Sequence, residues 1–74
     1  MRHIYLLKDL AQATGYSTYT LKYYLQLGLF KEIGRSPLTN FRYFDDDTAE
    51  SLKGIRKMQN SGLTLKEIKA KVNP

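Results

Sequence analysis

Apolar residues recur along this chain with more than one period, and the changes of period mark out its elements. In LKDLAQA, residues 7–13, Leu7, Leu10 and Ala11 fall at helical spacing and the pattern stops at Thr14-Gly15, which predicts a short first helix. A second helix is predicted inside YSTYTLKYYLQLGL, residues 16–29. Gly15 can take the left-handed turn before it, Ser17 can cap its first free amides, and Gly28 closes it. One apolar stripe consists of Leu21, Tyr24 or Leu25, and Leu27 or Gly28, while Thr18, Tyr19, Lys22, Tyr23 and Gln26 lie mainly on the other side. So close a pair fits a helix-turn-helix, with Ala11 suited to the crossing point.

The helical period is lost between Phe30 and Phe44, where Gly34, Pro37 and Asn40 act as breakers. Residues 33–35 and 41–44 read as the arms of a short hairpin, a wing. Phe41, Tyr43 and Phe44 favour extended backbone, and Asn40 tolerates the left-handed conformation of a turn or bulge. Asp45-Asp46-Asp47 then opens a third helix, about residues 46–61, where carboxylates cap free amides and suit the positive end of the helix dipole. A metal site is the sharper alternative there, but consecutive carboxylates at a helix start diverge and no His or spaced Glu completes a ligand set. Ala49, Leu52, Ile55 and Met58 recur every three residues and should face the core. Gly54 interrupts that helix at a cost of about 1 kcal/mol relative to alanine, with close packing as its candidate reason. Gly62 ends it. Thr64 and Glu67 form a capping box for a fourth helix that turns Leu65, Ile68 and Val72 inward and ends near Asn73-Pro74. The expected fold is therefore mainly α, a winged helix-turn-helix of four helices with a short β-hairpin wing, in one domain spanning 1–74.

Composition narrows the chemistry. A chain of 74 residues buries only a modest core, and the lack of cysteine removes disulfides, thiolate metal sites, iron–sulfur clusters and cysteine nucleophiles. No apolar run approaches the roughly 20 residues of a membrane span, and the opening MRHIYLLKDL has no secretory apolar core, so the expected location is the cytoplasm. The single histidine, His3, reads as a surface residue. Without a nucleophile–base pair or a metal cluster, neither enzyme activity nor a cofactor is expected. The formal charge is +5, from 12 Lys and Arg against 7 Asp and Glu, which favours a polyanionic partner. Four of the seven acids fall within residues 45–50, so the rest of the chain is more basic than the total implies.

Five segments in fixed order carry a resemblance: LAQATGYS (10–17), TLKYY (20–24), Gly28-Leu29, NFRYFD (40–45) and IRKMQNSGLTLKEIK (55–69). Over nearly its full length the chain resembles the N-terminal winged helix-turn-helix domain of the MerR family of bacterial transcription regulators. The resemblance implies a double-stranded DNA partner, with the second helix in the major groove and the wing on the flanking backbone or minor groove. Ser17, Thr18, Tyr19 and Thr20 would then occupy the start of the recognition helix, the part that usually reaches base edges. Lys22 stands where the family usually has arginine, which keeps the cation and loses the bidentate fork. Tyr23 can set its hydroxyl on a phosphate, whereas Tyr24 is expected half-buried. In the wing Arg42 is the foremost cation, with Tyr43 beside it in either a contact or a structural role and Arg35 on the opposite arm; Lys57 is the candidate on the third helix. Leu25, Phe30 and Asn40-Phe41 depart from the family's usual glutamate, proline and Gly-Tyr, and the wing is one residue longer, which bears on the wing tip and on base preference. The family also pairs subunits through a long helix beyond the fourth and acts on RNA polymerase at promoters. A homodimer is expected where such a helix exists. An excisionase-like architectural DNA-binding protein and a chaperone-modulator-like interaction module are the alternatives.

Overall fold

The computed structural model describes residues 3–72, in the order β1 (Tyr5–Leu6), α1 (Leu7–Thr14), α2 (Thr18–Leu27), β2 (Gly34–Arg35), β3 (Arg42–Phe44), α3 (Asp46–Asn60) and α4 (Leu65–Val72). Four helices and a wing are present as the periodicity implies. The expected stop at Asn73-Pro74 lies outside the described residues.

Local chemistry accounts for the helix ends. Ser17 Oγ accepts the Thr20 N–H at 3.0 Å and caps α2, and Asp45 Oδ1 accepts the Thr48 N–H at 3.2 Å and caps α3. At α4 the box closes both ways: the Thr64 N–H donates to Glu67 Oε1 at 3.0 Å and the Glu67 N–H to Thr64 Oγ1 at 3.2 Å. Helix α1 begins on Leu6, which has no capping oxygen, and Asp9 compensates by accepting the Leu6 N–H at 3.1 Å. Gly28 has a φ of 79°, and with the Leu29 N–H donated back to the Tyr24 carbonyl it turns the chain sharply out of α2.

The wing is more than a hairpin. Tyr5 and Leu6 add a third strand, giving an antiparallel sheet of order β1-β3-β2 with registers Tyr5↔Phe44, Leu6↔Tyr43, Gly34↔Tyr43 and Arg35↔Arg42. The paired arms are shorter than expected, because Ile33 and Phe41 contribute only backbone bonds, from the Ile33 N–H to the Tyr43 carbonyl and from the Ser36 N–H to the Phe41 carbonyl. Asn40 does take the left-handed conformation, with φ 60°.

One core joins these elements. Leu10 and Ala11 of α1, Leu21 and Tyr24 of α2, Leu29, Phe44 of β3, Ala49, Leu52 and Ile55 of α3, and Ile68 of α4 are buried together. Met58, Leu65 and Val72 pack against its edge. Phe44 is the wing's anchor, fully buried with its ring 5.5 Å from that of Phe30. Close packing does not explain Gly54, since a β-carbon there would meet nothing within 4 Å beyond its own helix. No described helix is long and apolar enough to cross a membrane.

Candidate nucleic-acid interface

Helix α2 divides as its sequence suggests. Leu21 and Tyr24 are buried, whereas Thr18, Tyr19, Lys22, Tyr23 and Gln26 are exposed along one face, and Tyr19 retains 82% of its accessible surface. An aromatic side chain that open on a helix with a packed opposite face is available to a partner. Ser17 and Thr20 are partly occupied by each other, because Ser17 Oγ donates to Thr20 Oγ1 at 2.9 Å as well as capping the helix. Tyr24 is more buried than expected and belongs to the core, while Tyr23 stays half-exposed with its ring 6.3 Å from that of Tyr24.

The wing curls towards this face. Lys8, Lys22, Arg35 and Arg42 come from α1, α2 and both arms of the wing, and they line one concavity of about 590 Å³ floored by Leu6, Leu7 and Phe41. Lys8 went unnoticed in the sequence, where a lysine in a first turn carries no signal of its own. Lys22 and Arg42 also border the neighbouring hollow, together with Gln26, Lys31 and Glu32. Both wing arginines reach the same acid: Arg35 Nε and Arg42 Nε each lie 3.4 Å from Glu32 Oε2. Glu32 is held ionised below the usual carboxylate range, first by a hydrogen bond from its own backbone and then by the two arginines.

The other candidates lie outside that concavity. Tyr23 borders a separate hollow with Leu27, Leu29, Leu65, Lys66 and Lys69. Tyr43 is half-buried in the middle strand, with its hydroxyl over Gly34, where a β-carbon would collide with it. Lys57 is exposed in the last turn of α3 and does not line the concavity. Its neighbour Arg56 lies just before the start of α2, with its guanidinium 4.3 Å over the Tyr16 ring. Behind that ring, Tyr16 donates its hydroxyl to Gln59 Oε1 at 3.1 Å, and Gln59 Nε2 donates to the Tyr24 hydroxyl at 2.9 Å. The rings of Tyr16 and Tyr24 meet edge to face at 5.4 Å. Burial pushes the Tyr16 hydroxyl's pKa up, so it remains a proton donor in this relay.

The acidic run at the start of α3 is engaged within the protein. Asp45 caps the helix, and Asp46 accepts the Tyr5 hydroxyl at 2.7 Å and the His3 N–H at 3.2 Å, tying β1 to α3. Among the described residues no group of three metal-type ligands converges.

Comparison with known proteins fits this geometry. A regulator from Haemophilus influenzae described as an uncharacterized HTH-type transcriptional regulator is 37% identical over 59 residues, 80% of this chain and 43% of that protein. The mercuric resistance operon regulatory protein of Bacillus cereus is 37% identical over 60 residues, 81% of this chain and 45% of that protein. The chain thus spans less than half the length of these curated relatives. Among solved structures, HiNmlR, a MerR family regulator lacking the sensor domain and bound to promoter DNA, superposes with a TM-score of 0.83 at 31% identity, over 95% of this chain and 52% of its own. A MerR family regulator from Bacillus cereus shares the fold with a TM-score of 0.88 at 21% identity, over 97% of this chain and 53% of its own. The family described as MerR HTH family regulatory protein matches residues 5–73, and this chain belongs to it.

Proposed function

We propose that this chain is the sequence-specific double-stranded DNA-binding domain of a transcription regulator, reading the major groove with the exposed face of α2 and the flanking backbone or minor groove with the wing. The observation that carries it is the convergence of Lys8, Lys22, Arg35 and Arg42 on one concavity between helix and wing, a cluster of cations of the kind that binds a phosphate backbone. The DNA-bound relative with the same fold supports the reading. Thr18 and Tyr19 face base edges, Ser17 and Thr20 shape the helix start, Tyr23 and Arg42 hold phosphates, and Tyr43 mainly supports the wing. Arg35 and Lys57 are flanking cations. In the whole regulator a second subunit supplies the other half-site, and RNA polymerase at a promoter in the cytoplasm is the eventual target. The relatives are transcription regulators, which favours this reading over an excisionase or a chaperone modulator.

One domain reading one half-site binds weakly, and each phosphate contact adds about 0.9 to the slope of log affinity against log salt. Titration of the labelled chain with duplex DNA at several salt concentrations should move the NMR signals of Lys22, Tyr23 and Arg42. Arg42→Gln should reduce the salt slope by about 0.9. Signals of all three residues that stay fixed in saturating duplex would overturn the reading.

A further inference from the structure

We propose that Glu32 is a specificity-determining residue, a carboxylate shared by Arg35 and Arg42 that restricts where they point and reduces their attraction to arbitrary phosphate. The inference rests on the DNA-binding reading above and adds an acid to its set of cations.

Its placement is the first argument. Two hollows lie against α2 and the wing, sharing Leu7, Lys22 and Arg42, and among the described residues lining them Glu32 is the single carboxylate. An acid on a DNA-facing surface repels phosphate and opposes binding unless it does something else there. What Glu32 does is geometric: one oxygen, Oε2, is shared by guanidinium groups from both arms of the wing. The two arginines face each other in register across β2 and β3, where like charges directly opposite destabilise a strand pair. The carboxylate between them offsets that repulsion and limits where each fork can point.

Charge arithmetic gives the consequence. With Glu32 the three side chains carry a net +1; without it they carry +2. Since non-specific attachment scales with the number of phosphates the protein's cations neutralise, each releasing condensed counterions from the DNA, Glu32 lowers affinity for any duplex by about one charge's worth. At a selected site the cost is partly returned, because the guanidiniums are already oriented and lose less freedom on binding. The carboxylate therefore lowers non-specific binding more than specific binding.

The test is Glu32→Gln in the 74-residue chain, measured on an arbitrary duplex and on a duplex selected from a random pool by the wild-type protein. Glutamine keeps the side chain's length and removes the charge. The expected result is a salt slope steeper by about 0.9 on the arbitrary duplex, affinity there raised about 5- to 10-fold at 0.1 M salt, and a selected-to-arbitrary ratio that falls. The same substitution made in an Arg35→Gln, Arg42→Gln background should leave that ratio unchanged, because the arginines through which Glu32 acts are gone. An unchanged slope and ratio in Glu32→Gln would overturn the inference. So would equal weakening on both duplexes with a lowered melting temperature, which would make Glu32 a folding residue only. If the wild-type chain binds no duplex in a salt-dependent way, the underlying DNA-binding reading fails first, and that result is distinct from a wild type that binds and a variant that matches it.

Discussion

The helical block and the wing are held by different forces. Helices α1 to α4 share a core with Leu10, Leu21, Leu52, Ile55 and Ile68 fully buried, and their ends are closed by local caps. The wing has strands of two or three residues, one buried anchor in Phe44, and ion pairs whose arginines are almost half exposed. Apolar burial is not weakened by charge screening, whereas exposed pairs contribute only about 0.2–1 kcal/mol and are screened. A helix packed into the core thus sits beside an arm whose ion pairs respond to salt.

The largest expected effect comes from cutting the link between them. Phe44→Ala should cost about 3–5 kcal/mol, because it removes an aromatic from the shared core and from its contact with Phe30. Chemical denaturation measures this, and an unchanged midpoint would mean that the wing is an appendage rather than part of the cooperative unit. Within the block, Gln59→Ala should cost about 1–3 kcal/mol by removing the two hydrogen bonds that its amide makes with the Tyr16 and Tyr24 hydroxyls. Its NMR signature should be confined to α2 and α3, with wing signals unmoved. Gly54→Ala runs the other way, since a methyl there meets open space and the helix loses a flexible residue. A gain of about 0.5–1 kcal/mol is expected from thermal melts.

The smallest effects are those of pH. Hydrogen bonds from the Tyr5 hydroxyl and then the His3 N–H lower the Asp46 pKa, and the Thr64 N–H lowers that of Glu67. A carboxyl whose folded pKa lies below its unfolded value contributes stability above the unfolded value, about 4, and loses it as pH falls through the folded one. Unfolding midpoints should accordingly be flat from neutral pH to about 5 and decline below it. Asp46→Asn should shrink that decline, and a variant retaining the wild-type acid limb would exclude the β1–α3 contact as a contributor.

Much of the block was legible because its signals are local. Ser17, Asp45, the Thr64–Glu67 box, Gly15, Gly28 and Gly62 each act within a few residues, and they place helix ends where the structure has them. Strand β1 was not legible: two residues abutting a helix have no period, and their partner lies far along the chain at Tyr43 and Phe44. Periodicity put Leu52 and Ile55 inside, but it cannot say that Gln59 meets two tyrosines 43 and 35 residues earlier. In the wing, Arg35 and Arg42 were legible as cations, but Glu32 was not, because its pairing with both arises only when the two arms come into register. Gly54 misled in the other direction, because a glycine inside a helix suggests crowding and here there is none.

The Gln59 amide has one more consequence. Its oxygen and nitrogen are fixed in one plane, and each is committed to a different phenol, one just before α2 and one in its middle. Were α2 to slide by a single residue's rise, about 1.5 Å, or to roll about its axis, one plane could no longer satisfy both. The helix is therefore indexed against α3 like a key cut to one depth, and that index sets the rotation at which its outward side chains are presented.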